Sequence, residues 1–175
     1  MIRLCFDYGH GGKDSGAIYN GRKESMDNLS IGMEVAKRIR IFGVEVDETR
    51  TSDVNVGLKE RCDFANKGDY DYFISFHRNA FSPEKATGVE TFVHPNASPK
   101  ANELAMLLQK ALVECGFKDR GVKKANFYVL RETKMPAILV EIGFIDNSLD
   151  NNILDIKRRQ IIHELSKSII LKVMR

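Results

Sequence analysis

The residues best suited to chemistry are histidines and glutamates set beside glycines or inside apolar runs. His10 lies in a glycine-rich turn after the first apolar segment, and His77 directly follows the apolar run 72–76. Glu141 interrupts the apolar run 137–144, where an unpaired carboxylate would carry a large desolvation cost. Taken alone, each has a structural interpretation, as a turn residue, a rim histidine or a paired buried carboxylate. Their combination decides between the interpretations.

Together with Glu24, these residues match the composition of a catalytic zinc site. Such sites use three protein ligands and leave one position open, and His10, His77 and Glu24 can supply the three. Zinc lowers the pKa of its bound water to about 7, and a further group must then move protons. Glu141 is the candidate for that role. The reverse assignment, with Glu141 as a ligand and Glu24 as the proton carrier, stays open.

A glycine-rich turn after a first strand also occurs in phosphate-binding P-loops. That motif would need a glycine where Asp7 stands and a serine or threonine where Asp14 stands. The sequence therefore excludes a P-loop here.

Short apolar runs alternate with helical patterns, which predicts helices on both faces of a mostly parallel sheet in a single α/β domain. Strands are predicted at 2–8, 44–49, 70–76, 89–94, 127–130 and 137–142. Helices are predicted from Asp27 or Asn28 to Gly43, over 58–66, through Leu104, Leu108 and Ala111, and from Ile161 to Val173, with Glu24 on the loop before the first of them. His10, His77 and Glu141 then lie at the carboxyl ends of strands, on one rim of the sheet, where ligands bind in such folds.

Composition narrows the classes of partner. The chain has 175 residues and a net charge of +3, which gives no strong field for nucleic acid. One local excess of basic residues comprises Lys118, Arg120, Lys123, Lys124, Arg131 and Lys134. This cluster is either a solvated face or a surface for an anionic polymer. Cys5, Cys62 and Cys115 lie among apolar residues and are expected to be buried rather than disulfide-bonded.

The first residues lack the long apolar stretch of a secretory signal, and no window approaches 18 uninterrupted apolar residues. We therefore expect synthesis in the cytoplasm without a signal peptide, no membrane span, and export by other means.

Several separated motifs resemble the zinc-dependent N-acetylmuramoyl-L-alanine amidases, the family of bacterial autolysins and many phage endolysins. The motifs are Asp7–Gly12, Glu24, Ser75–Ala80 and Val140–Phe144. Further matching stretches are Arg50–Asp53, Leu58 with Arg61, Ala65–Asn66, Arg120–Lys123, Leu130–Thr133, Met135–Ala137 and Asn147. The resemblance covers nearly the whole chain, and the order of the motifs makes it specific.

The resemblance implies a six-stranded mixed sheet flanked by about five to six helices, with residues 1–175 forming a zinc amidase catalytic domain. It implies one zinc ion per chain held by His10, Glu24 and His77, with Glu141 catalytic. It also supplies the substrate, the amide between N-acetylmuramic acid and L-alanine in peptidoglycan.

Three neighbouring polar residues are further candidates. Asp7 can orient a metal ligand or cap a turn, and Arg78 and Asn79, which follow His77, can hold substrate.

Members of this family usually carry a signal peptide, wall-binding repeats or both, and neither is found in this sequence. We interpret the chain as the catalytic domain of a phage or prophage endolysin that acts at the cell wall after release, with a separate wall-binding domain as a further partner. An enzyme released from a sporulating mother cell is the alternative. Two other functions stay open: a zinc peptidase that cuts within the stem peptide, and a non-catalytic wall-binding module. Glu141 in its apolar run argues against the binding module.

Overall fold

Alternating apolar strands and amphipathic helices build a sheet covered on both faces in the computed structural model, which describes residues 2–174. The strands are β1 (Arg3–Tyr8), β2 (Ile18–Tyr19), β3 (Arg22–Lys23), β4 (Glu45–Glu48), β5 (Tyr72–Asn79), β6 (Val89–Val93), β7 (Asp119–Lys124) and β8 (Ala137–Phe144). The helices are α1 (Glu24–Arg40), α2 (Leu58–Lys67), α3 (Pro99–Glu114), α4 (Tyr128–Arg131) and α5 (Ser148–Val173).

The main sheet has six strands in the order β4-β1-β5-β8-β6-β7, and β2 and β3 form a separate small hairpin. All neighbours in the main sheet are parallel except β6 and β8, which are antiparallel. The predicted mixed, mostly parallel sheet of six strands in a single domain is therefore confirmed. Because β1, β5 and β8 run in the same direction, their carboxyl ends lie at the same rim.

Side chains point alternately to the two faces of the sheet, and each face has its own hydrophobic core, one large and one small. On one face, side chains such as Phe6, Ile74 and Val140 pack in a large cluster with residues of α1, α3 and α5. On the other face, Cys5 and Phe73 belong to a much smaller cluster with residues of α2 and α4. Full burial of one such apolar side chain stabilises the fold by about 1.5–3 kcal/mol, so the large cluster supplies most of the stability. Among residues 2–174, the helices that cover the second face are the two short ones, α2 and α4.

One predicted element in the carboxyl-terminal half is wrong, and one strand there was missed. The predicted strand at 127–130 is instead the helical turn α4, because a four-residue apolar run does not distinguish strand from helix. The strand β7 at Asp119–Lys124 was not predicted. It lies at the edge of the sheet and is rich in basic residues, as edge strands often are.

The first helix begins earlier than predicted. Glu24 is its first residue and Lys23 its N-cap, whereas Asp27 lies within the first turn and Asn28 in the helix proper. The Asn28 side chain donates to the carbonyl of Gly9 rather than capping the helix. Glu24 is therefore a helix residue and not a loop residue.

The three cysteines are buried and free, as expected. Within residues 2–174, no helix combines the length and the apolar character that a membrane crossing requires.

Candidate metal and catalytic site

The register of the sheet brings His77 and Glu141 together. They are direct partners on the parallel strands β5 and β8. Side chains alternate along a strand, so both lie on the face of Phe73 and Leu139, which α2 and α4 cover. His77 and Glu141, both predicted at one rim of the sheet, therefore lie on its thinly covered face.

His10, Glu24 and His77 form one compact group. One ligand atom from each lies within 4.8 Å of the others. Glu24 Oε1 is 3.2 Å from His10 Nε2 and 2.9 Å from His77 Nδ1, so a single carboxylate oxygen bridges both imidazoles. The Glu24 side chain is only 6% exposed, while the two rings remain partly open to solvent.

The turn after β1 is shaped to present His10. The residue has a φ of 63°, a left-handed conformation that is strained for a residue other than glycine and clusters at functional sites. A Cβ on Gly9 would lie 2.1 Å from His77 Cε1, so only glycine allows the His77 ring this close to the backbone. Asp14 Oδ2 is 2.9 Å from His10 Nδ1 and fixes the orientation of the ring, leaving Nε2 directed towards Glu24.

Two buried arginines hold the same turn from beneath. Arg50 donates from Nε to the carbonyl of Tyr8 at 2.7 Å and from Nη2 to that of Gly9 at 3.1 Å. Arg61 donates from Nη2 to the carbonyl of His10 at 2.8 Å and pairs through Nη1 with Asp7 Oδ1 at 2.6 Å. Four consecutive positions, 7–10, are thus fixed by one arginine of α2 and one of the loop after β4.

In the sequence, Arg50 and Arg61 stand out only as matches to a family pattern, and the role of Asp14 was not predicted. The spacing of Asp14, four residues after His10 in the same turn, is a signal that could have revealed the pairing. No local pattern reveals the two arginines, because each contacts the turn across more than 40 residues of sequence.

Interactions between the charged side chains of His10, Glu24 and His77 outweigh burial in setting the pKa values of these residues. Burial would raise the pKa of Glu24, but hydrogen bonds with His10 and His77 outweigh it and lower the pKa well below its usual range. Burial would lower the pKa of His10, but Glu24 and Asp14 raise it to about 9. The site therefore stabilises positive charge beside an ionised Glu24, and a cation in the same place would interact with the same carboxylate.

Glu141 differs from Glu24 in its surroundings. Burial is the main cause that raises the pKa of Glu141 to about 7, with the charge of His77 opposing the rise and that of Glu24 adding to it. Its Oε2 is buried and has no hydrogen-bond partner among residues 2–174. It borders a cavity of about 410 Å³ whose wall includes Leu58, Phe127 and Tyr128. A carboxylate kept near neutral pKa beside an open groove is suited to accept and return a proton.

The donor set fits a zinc ion. Two imidazoles and one carboxylate are the protein ligands of many catalytic zinc sites, and their atoms already lie close enough to share one ion. The unpartnered Oε2 of Glu141 leaves a carboxylate oxygen free to bond water or substrate at this place.

The remaining candidates lie around this group in different ways. Asp7 is 1% exposed and accepts hydrogen bonds from Ser75, Thr49 and Arg61, so it acts on the His10 turn through Arg61.

Arg78 does not reach the groove. Its guanidinium is fully buried and bonds to Asp27 of α1 and Asn151 of α5, so the side chain joins elements and cannot hold substrate. Its main-chain N–H donates to Glu24 Oε1 at 3.2 Å. Asn79 borders a second cavity and donates from Nδ2 to Glu90.

Comparisons with known proteins agree with this geometry. The profile of the family described as N-acetylmuramoyl-L-alanine amidase matches residues 4–171. The N-acetylmuramoyl-L-alanine amidase CwlM of Bacillus licheniformis is 39% identical over 153 residues, covering 86% of this chain and 59% of that protein. The endolysin of Bacillus phage SPP1 is 39% identical over 157 residues, covering 84% and 56% respectively. The chain thus spans less than two thirds of the length of these curated relatives.

Solved structures extend the likeness to the fold. The crystal structure of N-acetylmuramoyl-L-alanine amidase from Clostridium difficile 630 matches with a TM-score of 0.91 at 32% identity, covering 97% of this chain and 95% of that one.

Proposed function

The chain belongs to the N-acetylmuramoyl-L-alanine amidase family, and from this membership we propose that it cleaves peptidoglycan. The bond cleaved is the amide between the lactyl group of N-acetylmuramic acid and L-alanine. The observation that carries the proposal is the juxtaposition of Glu141 with the group formed by His10, Glu24 and His77. Residues 1–175 form the catalytic domain.

The same proposal assigns one zinc ion to His10, Glu24 and His77. The support is the bridging Glu24 oxygen and the partly open rings of the two histidines. When bound, zinc is a Lewis acid that makes water acidic enough to supply hydroxide near neutral pH. Asp14 holds the His10 ring, and Arg61 and Arg50 hold the backbone that carries it.

Glu141 performs the proton transfers. It accepts a proton from the attacking water as the oxygen forms a bond with the lactyl carbonyl carbon. It returns that proton to the nitrogen of L-alanine as the carbon–nitrogen bond breaks, which leaves a free carboxylic acid on the sugar and a free amine on the stem peptide. A pKa of about 7 suits both steps, because the group is neither a strong acid nor a strong base near neutral pH.

The place of action belongs to the proposal as well. Similarity to the SPP1 endolysin supports action at the bacterial cell wall and an endolysin origin. The alternative, release from a sporulating mother cell, is supported by similarity to the sporulation-specific N-acetylmuramoyl-L-alanine amidase of Bacillus subtilis.

Product analysis tests the proposal. Purified peptidoglycan treated with the protein should release intact stem peptides with a new L-alanine amine, detected by mass spectrometry. A peptidase would instead leave truncated peptides attached to N-acetylmuramic acid, and a binding module would leave the wall uncut. Either result would refute the amidase assignment, and the Glu141→Gln variant serves as the matched inactive control.

A further inference from the structure

Two residues of the basic cluster found in the sequence converge on one buried carboxylate. Glu90 of β6 is 5% exposed and accepts hydrogen bonds from Arg120 Nε at 3.1 Å, from Lys123 Nζ and from Asn79 Nδ2. Burying a carboxylate is costly unless it is paired, so this arrangement is a built feature and not a solvated surface. The hydrolytic steps proposed above do not use it.

The guanidinium of Arg120 is oriented by two contacts. Its Nε is bonded to Glu90, and its Cζ lies 4.9 Å from the ring centroid of Phe144. Neither contact uses the terminal nitrogens Nη1 and Nη2, and no residue of the described part of the chain accepts a hydrogen bond from them. The Arg120 side chain is 31% exposed. Arg120 therefore presents a fixed pair of donors to solvent.

These donors border a cavity distinct from the Glu141 groove. It has a volume of about 390 Å³, and Lys85, Lys118 and Arg120 are its cationic residues. Glu90, its carboxylate, is already paired with two cations. An anionic group is the ligand that this cavity favours.

The sheet register gives the distance between Arg120, which borders this cavity, and the catalytic candidate Glu141. Glu90 and Glu141 are direct partners on the antiparallel strands β6 and β8, so their side chains share a face. Arg120 lies on β7, one strand further. Strands are about 4.8 Å apart, which places Arg120 roughly 10 Å from Glu141. An extended peptide advances about 3.5 Å per residue, so the second or third residue of a stem peptide spans this distance.

We propose that Arg120 binds a free carboxylate of the stem peptide, on the residues next to the cleaved L-alanine bond, and so makes the enzyme selective for stems that are not amidated there. This deepens the proposed amidase function and rests on it. A guanidinium fork binds a carboxylate through two parallel charged hydrogen bonds, whereas a carboxamide offers one neutral acceptor. An anionic wall polymer such as teichoic acid would contact exposed lysines more broadly; the oriented fork in a cavity beside Glu141 favours the stem peptide.

The test uses one wall preparation in two forms. Teichoic-acid-free peptidoglycan is compared before and after its stem carboxylates are converted to carboxamides with carbodiimide and ammonia. Initial release of L-alanine amine is measured at subsaturating wall concentrations. We expect amidation to slow the wild type about 10- to 100-fold, the range of a charged hydrogen bond. The Arg120→Gln variant should lose the preference for untreated walls and cleave both forms at the slow rate at which the wild type cleaves amidated walls. The Arg120→Lys variant should retain part of the preference for untreated walls.

Lys124→Gln is the matched control, since Lys124 is an exposed cation on the same strand that borders neither cavity. It should keep the wild-type preference. Equal cleavage of both walls by the wild type, or an Arg120→Gln loss that is equal on both, would overturn the inference. A loss seen only on walls that retain teichoic acid would assign Arg120 to that polymer instead. A wild type that cleaves neither wall would refute the proposed function itself.

Discussion

Glu24 and Glu141 have the same side chain and opposite protonation behaviour. Glu24 bridges two imidazoles and lies at the first position of α1, where the helix dipole adds to the stabilisation of its negative charge. Glu141 has a buried oxygen without a partner, and burial raises its pKa to about 7. These environments favour Glu24 as the ligand and Glu141 as the proton carrier.

The roles of metal ligand and proton carrier can be distinguished with the variants Glu24→Gln and Glu141→Gln. Glu141→Gln should retain metal and lose roughly 10²–10⁴-fold in kcat, because the amide preserves the shape but cannot accept the proton. The loss should fall on kcat more than on KM, since the transfer matters in the transition state. Metal content and wall-lysis rate of both variants are the measurements.

The reverse assignment, with Glu141 as the ligand and Glu24 as the proton carrier, predicts the opposite results for the two variants. Glu141→Gln would then lower zinc occupancy, while Glu24→Gln would keep the metal and lose rate. Near wild-type turnover in Glu141→Gln with full zinc would contradict the mechanism.

At the scale of elements, the Asp7–Arg61 pair joins the end of β1 to α2. Asp7 is 1% and Arg61 3% exposed, and their atoms lie 2.6 Å apart. Burial would raise the pKa of Asp7, but the Arg61 charge and three hydrogen bonds lower it. Since the folded-state pKa is lowered, the pair stabilises the fold above the ordinary carboxyl pKa of about 4 and less as the pH falls through the folded-state value.

We therefore expect Asp7→Asn to lower the free energy of unfolding by about 3–5 kcal/mol at pH 7, because it leaves Arg61 buried without a counter-charge. Urea denaturation followed by circular dichroism measures this, and the difference from wild type should narrow below about pH 4. Asp63→Asn removes the exposed partner of Lys59 on the same helix and should have a much smaller effect. Equal effects of the two variants would show that burial of the pair is unimportant.

Elements with long periodic patterns could be predicted from the sequence, and short or polar elements could not. The core strands β1, β5 and β8 have apolar runs that identify them, and His10, His77 and Glu141 follow from their ends. The strand β7 is half-buried and basic, and α4 has only four residues, so neither has a hydrophobic period to detect. Long-range partners such as Arg50 and Arg61 depend on tertiary packing, which no local pattern encodes.

For the molecule as a whole, the large core under α1, α3 and α5 carries the stability, while the candidate metal ligands His10, Glu24 and His77 lie outside that core. We expect removal of metal by a chelator to abolish activity and to leave the circular dichroism spectrum largely unchanged. An α/β domain of this size does not depend on a metal ion for its core, unlike small zinc modules.

The melting temperature should fall on chelation, because a ligand present at 100 times its Kd stabilises the folded state by about 2.7 kcal/mol. Added zinc should restore both activity and melting temperature. Unfolding on chelation would mean that the metal is structural.

The uneven cover of the sheet also bears on how a polymer reaches the catalytic groups. His77, Glu141 and Glu90 form a row across three neighbouring strands, about 10 Å long, on the face that the short helices α2 and α4 cover. A crosslinked mesh offers few loose ends, so a closed pocket would admit only its termini. If the proposed amidase function holds, a row laid out across a thinly covered face lets a stem peptide of an intact glycan strand approach Glu141 from the side, so we expect cleavage along a strand as well as at its ends.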